Sequence, residues 1–290
     1  MEKQISNIGG DLRIVKLIEM LEKDGYTIYT FGLEKTEALR NKENIVMCEN
    51  IQDAINASRV VIGPIPLSSN NQDINTPFSN NTITMEEMFL NMSNKIFIAG
   101  SISKKAIELS ENKNIQVFDL LNREELAVLN TISTAEGAIQ IAMQETLSTI
   151  HGSNVLVMGF GRIGKILSKM LSGIGAKVSC EARKEADLAW IKAYGYESIH
   201  LNELKDNLNK FDIIINTIPY TILDSEKLDC VKEDCVIIDL ASNPGGVDKV
   251  AAKQKGIKTI WALSLPGKVA PLTSAEFIKE TIYNILKEIK

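Results

Sequence analysis

Short apolar runs alternate with stretches of helical spacing along the chain, the cadence of α/β units whose strands pair in parallel. In the first half these runs fall at residues 4–8, 27–30, 45–48, 60–62, 96–99 and 116–119, each rich in β-branched residues. Between the first two, Leu12, Val15, Leu17, Ile18 and Leu21 keep a helical repeat that Gly25 ends, and the unit opens on Gly9-Gly10-Asp11. A second series follows at 155–158, 178–180, 211–216, 236–239 and 258–261. Between the series, Ala135, Ala138, Ile139, Ala142, Met143, Leu147 and Ile150 predict a connecting helix that begins near Thr134. Phe277, Ile278, Ile282, Ile285, Leu286 and Ile289 predict a last helix that can close against either domain. The polar stretch 68–82 reads as a loop, either a lid or a plain surface insertion.

Composition narrows the class. With 290 residues, 44% hydrophobic and 24% charged, the chain suits two globular domains. Its formal charge of -5 disfavours nucleic acid and anionic membrane surfaces. Cys48, Cys180, Cys230 and Cys235 form no C-x-x-C pair, so the expectation is no metal site, no disulfide framework and a reducing cytoplasm. The start of the chain lacks the pattern of a signal peptide, and no apolar run approaches the ~20 residues that span a bilayer.

One turn carries specific chemistry. The run Val155-Leu156-Val157-Met158 leads into Gly159-Phe160-Gly161-Arg162-Ile163-Gly164 and then into an amphipathic helix. In a dinucleotide site the first glycine makes a sharp turn, the second admits a pyrophosphate and the third packs helix on strand. The fold we expect is a two-domain α/β protein, a flavodoxin-like N-terminal substrate domain followed by a Rossmann NAD(P)-binding domain. The boundaries are 1–133 for the first domain, 134–151 for the interdomain helix, 152–268 for the Rossmann domain and 269–290 for the C-terminal helix. The next strand runs into Glu181-Ala182-Arg183-Lys184. Glu181 suits the ribose hydroxyl of NAD, whereas Arg183 and Lys184 suit a 2′-phosphate, and the two cations favour NADP over NAD. Loops leaving later strands bring Thr217, Ile218 and Pro219, then Ala241 and Ser242, then Pro266 and Gly267 to the end of the sheet where such cofactors bind.

Together these residues resemble the A subunit of dipicolinate synthase over nearly the whole chain. The likeness rests on Gly9 to Arg13, Gly63 to Ser68, Thr134 to Ile139, the glycine fingerprint, Asp239 to Gly246 with Asp248, and Leu265 to Pro271. The resemblance implies oxidation of a dihydrodipicolinate to dipicolinate during sporulation, in the cytoplasm of the mother cell. It also implies that this chain binds NADP and that its partner is a flavoprotein-like B subunit. The last motif is also similar to one in alanine dehydrogenases, two-domain enzymes with an active site in the interdomain cleft.

A substrate with two carboxylates calls for cations. Arg13 and Lys268 are the candidates, with Asp11, Thr134 and Glu136 as further substrate-binding residues. Asp11 and Thr134 also fit helix or turn caps. The catalytic residue is open among Lys268, Arg13 and His151, the last also readable as a hinge residue. His200 reads as a surface residue. Neither histidine lies where D-2-hydroxyacid dehydrogenases place their catalytic imidazole. Two rival functions stand beside the first: a self-sufficient amino-, imino- or keto-acid dehydrogenase like alanine or shikimate dehydrogenase, and an NADP-sensing binding subunit whose partner performs the redox step. A homo-oligomer is left open.

Overall fold

The computed structural model describes residues 3–111 and 113–289; Met1, Glu2, Asn112 and Lys290, which include the outer ends of the expected spans 1–133 and 269–290, lie outside the described residues. The chain divides into two compact units, residues 1–127 with 270–290, and residues 128–269.

The first unit contains β1 (Gln4–Ile8), α1 (Leu12–Lys23), β2 (Thr27–Phe31), β3 (Ile45–Met47), α2 (Ile51–Asn56) and β4 (Val60–Ile62). It continues with α3 (Met85–Leu90), β5 (Ile96–Ala99), α4 (Lys104–Glu111) and β6 (Gln116–Asp119). The strands form one parallel sheet in the order β3-β2-β1-β4-β5-β6. With the short edge strand β3 set aside, the other five run in the flavodoxin order. Ile5 faces a core built with Ile14, Leu17, Ile18 and Leu21 of α1. Ile8 faces the opposite core, with Ile55 of α2 and Met88 and Phe89 of α3. Helices on both faces explain why β1 shows no polar-out alternation.

Next, α5 (Glu124–Glu145) begins in the first unit and continues into the second. The second unit holds β7 (Asn154–Met158), α6 (Arg162–Ile174), β8 (Lys177–Ala182), α7 (Glu185–Ala193), β9 (Glu197–His200) and α8 (Leu204–Asn207). After these come β10 (Ile213–Asn216), α9 (Ser225–Leu228), β11 (Val236–Asp239), α10 (Lys249–Gln254), β12 (Lys258–Trp261) and α11 (Leu265–Val269). Its sheet is parallel, in the order β12-β11-β10-β7-β8-β9. This is the doubly wound order that reverses direction beside the first strand, where dinucleotides bind. The final helix, α12 (Pro271–Glu288), returns to the first unit. There Ala275, Ile278, Ile282 and Ile285 complete the core over α1. Lys279 Nζ and Tyr283 Oη bond Asp24 Oδ2 at 2.9 and 2.6 Å.

Several sequence expectations need correction. The connecting helix starts at Glu124, not Thr134, and stops at Glu145, so Leu147 and Ile150 fall in the following loop. Leu126 is buried well before the expected start and draws that segment into the helix. Strand β9 was not foreseen, because Glu197 and Ser198 break the apolar run. The expected loop over Leu265-Pro271 contains a short helix instead. Residues 68–82 are neither free nor idle. Ile74 is buried, and the carbonyl of Asn75 accepts the Gly10 N–H at 3.0 Å, which fixes the loop across the turn between β1 and α1.

Candidate nucleotide-binding site

The chain turns sharply where β7 ends. Gly159 has φ +88, and a Cβ there would lie 2.6 Å from Thr217 Oγ1 and 2.8 Å from Ile218 Cγ1. A Cβ on Gly164 would lie 2.0 Å from the Gly159 carbonyl oxygen. The fold itself therefore requires the first and third glycines. Gly161 is different: its φ is -81, and apart from its own chain neighbours nothing lies within 4 Å of where its Cβ would be. Gly161 is also the N-cap of α6, which has no side-chain cap and no acidic residue in its first turn. Such a helix end leaves N–H groups and a partial positive charge for an anion. An open cradle before an uncapped helix end fits the diphosphate of a dinucleotide. Phe160 turns inward, 5% exposed, with its ring 5.9 Å from that of Tyr194. Arg162 is exposed and Ile163 packs on the core.

The neighbouring walls are held by two residues that were not among the expected site residues. Asn216 and Asp239 end adjacent strands in direct register, and both are fully buried. Asp239 Oδ1 accepts from Asn216 Nδ2 at 2.8 Å and from the Ala241 N–H at 3.1 Å, while Oδ2 accepts from the Gly246 N–H at 2.8 Å. Asn216 Nδ2 also donates to the Ile218 carbonyl at 3.0 Å, and the Ile218 N–H returns a bond to Asn216 Oδ1 at 3.1 Å. Thr217 Oγ1 donates to the Met158 carbonyl at 2.8 Å. Thr217, Ile218, exposed Pro219, buried Ala241 and exposed Ser242 are thus fixed at the C-terminal edge of the sheet. Polar residues closing two apolar runs, I-I-I-N and V-I-I-D, were the available signal. Pro266 and Gly267 belong to α11, whose Leu265 and Val269 pack close to Gly137 of α5.

At the end of β8 the two cofactor signals separate. Glu181 is 1% exposed, and its Oε2 has no hydrogen-bond partner. Burial pushes its carboxyl up to about 7, partly offset by the Gly159 N–H and by His200. The acid that suggested NAD is therefore sealed from solvent. Arg183 and Lys184, just past the strand, are exposed.

In the first unit, Asp11 caps α1 by accepting the Arg13 N–H at 3.0 Å. The guanidinium of Arg13, a residue 8% exposed, donates to both Asp11 oxygens at 2.8–3.1 Å and to the Ile65 carbonyl. The anion seat of α1 is thus filled by the chain's own carboxylate. Thr134 is no N-cap: it lies inside α5, and its Oγ1 donates to the Asn130 carbonyl at 2.8 Å. Glu136 is exposed on the same helix, and Lys268 is likewise exposed in α11.

His151 cannot serve the glycine turn. It precedes β7, and the five-residue strand, about 16 Å long, separates it from Gly159. Its ring lies against Gly175, the C-cap of α6, where a Cβ would meet Nδ1 at 2.8 Å. His200 is half-buried at the end of β9, and its Nδ1 accepts the Asn202 N–H at 3.2 Å. Among the described residues, no cluster of His, Cys, Asp or Glu could hold a metal, and no helix is long and apolar enough to cross a membrane.

Comparisons with known proteins agree with this layout. Residues 4–121 match the N-terminal domain of the dipicolinate synthase A subunit. Residues 126–248 match the NAD-binding domain of D-isomer specific 2-hydroxyacid dehydrogenases. The dipicolinate synthase A subunit of Bacillus subtilis (strain 168) is 33% identical over 99% of this chain and 97% of its own length. The crystal structure of the dipicolinate synthase A subunit from Bacillus halodurans superposes with a TM-score of 0.90 at 30% identity, covering 99% of this chain and 98% of that one. The crystal structure of the Bacillus subtilis dipicolinate synthase A chain also gives 0.90, at 32% identity, over 100% of this chain and 97% of that one. A dehydrogenase NAD-binding domain joined to that N-terminal domain makes the chain an NAD(P)-dependent oxidoreductase. With a relative 33% identical across 99% of its length, the chain belongs to the family of dipicolinate synthase A subunits.

Proposed function

We propose that this chain is the NADP-binding oxidoreductase subunit that converts a dihydrodipicolinate to dipicolinate, pyridine-2,6-dicarboxylate. In this reading it acts in the mother cell of a sporulating bacterium, with a flavoprotein-like B subunit. The observation that carries the reading is Gly161, whose open surroundings and uncapped helix end answer to a ligand and to no contact within the protein. Backbone N–H groups of residues 160–164 would hold the diphosphate, and Arg183 and Lys184 would hold the 2′-phosphate. The Asn216–Asp239 pair holds the loops that carry Thr217, Ile218, Pro219, Ala241 and Ser242, which would flank the ring. Pro266 and Gly267 would line the same edge, and Lys268 would meet a substrate carboxylate.

When bound, the nicotinamide supplies the hydride acceptor. Loss of a hydride and a proton from a dihydropyridine leaves an aromatic ring, so the chain's main tasks are binding and orientation.

The test is reconstitution of the chain with the flavoprotein-like partner, following absorbance of the aromatic product with and without NADP. Product formation that requires NADP and this chain supports the reading, and NADP-independent formation overturns it. Arg183→Ala is expected to weaken NADP about ten- to a hundredfold in a binding titration and leave NAD nearly unchanged. Equal losses for both would remove the assignment of the 2′-phosphate.

A further inference from the structure

A buried carboxyl that lacks a full set of hydrogen-bond partners is costly to keep charged. Glu181 is such a group. It stands one residue before the end of β8, and its backbone carbonyl accepts the N–H of Gly159 at 3.0 Å. Its side chain is sealed from water, and its Oε2 is unpartnered. We propose that Glu181 is a positioning residue that links nucleotide binding to proton uptake, its carboxyl being neutral when an anionic dinucleotide sits on the glycine turn.

Two independent observations support the link. The first is geometric. Met158 pairs with Glu181 across the sheet and the Gly159 N–H bonds the Glu181 carbonyl, so the turn that runs through Gly161 into α6 starts against Glu181 itself. Two anions that close together in a poorly solvated site repel, and the carboxyl yields by taking a proton from solvent. The second is that burial already pushes the Glu181 carboxyl up to about 7, so little free energy is needed to shift it further.

The charged groups around Glu181 do not cancel the effect. On β9, His200 pulls the carboxyl downward and Glu197 is engaged by Ser179 Oγ at 2.7 Å. Arg183 and Lys184 continue the same chain outward, and Arg162 opens α6. β7 and residues 217–219 bring no charged side chain.

The inference rests on the nucleotide reading of the site, and its test separates the two. The whole chain is titrated with NADP and with NAD at pH 6 and pH 8, and binding heats are compared in buffers of different ionisation enthalpy. The expectation is about tenfold tighter NADP binding at pH 6 than at pH 8, with net proton uptake near pH 7. Glu181→Gln should abolish the uptake and bind at pH 8 as the wild type does at pH 6. Binding without proton uptake by the wild type, or uptake that persists in Glu181→Gln, overturns the link while sparing the nucleotide site. No binding of either nucleotide at either pH overturns both.

Discussion

Three glycines in one motif carry three different constraints, and substitution separates them. Gly161→Val meets open space in the protein. It should leave the unfolding midpoint almost unmoved while lowering nucleotide affinity at least about a hundredfold, because the side chain fills the cradle. A large loss of stability in Gly161→Val would show that the cradle is structural. Gly164→Val, by contrast, drives a Cβ into the Gly159 carbonyl and should fail to fold, as circular dichroism and solubility would show. Glu181 makes a separate prediction about stability. Its folded value, about 7, lies above the ordinary 4.5, so the native state holds the proton more tightly than the unfolded chain does. That contribution is fully present below about 4.5 and is lost as pH rises through about 7, a swing of about 3 kcal/mol. Glu181→Gln should therefore be more resistant to denaturant than the wild type at pH 8.5 and nearly equal to it at pH 5. Matching curves at both pH values would refute the buried-charge account.

At the scale of elements, legibility followed the apolar runs. β10 and β11 read directly from I-I-I-N and V-I-I-D, since strands buried on both faces have no other pattern to follow. The edge strand β9, with Glu197 exposed and only Ile199 buried, carries too little apolar signal to stand out. The start of α5 was hidden because Thr134 imitates an N-cap in sequence, while in space it is one more turn of a 22-residue helix. The glycine turn was legible because its spacing is local. The Asn216–Asp239 bond was not, because it joins residues 23 apart that only strand register brings together. That pair fixes two walls at once, so Asp239→Ala leaves Asn216 and two backbone N–H groups without their acceptor. The expected cost is about 3 kcal/mol of stability, with nicotinamide-nucleotide affinity falling as well. Denaturant unfolding and binding titration would show both, and a stable variant with normal affinity would contradict the role given to the pair.

For the whole molecule, the informative feature is that the first unit is assembled from both ends of the chain, whereas the second is continuous. Ile282 of α12 is fully buried against α1, so Ile282→Ala should cost about 2–5 kcal/mol and lower the melting of the first unit, visible by calorimetry. This connectivity also sets a schedule on the ribosome. Residues 128–269 are a self-contained stretch that can mature while translation continues, but the sheet made first must wait with its α1 face uncovered until α12 leaves the exit tunnel. A premature stop codon just before α12 would therefore release chains with an intact Rossmann unit and a sticky, half-built first unit.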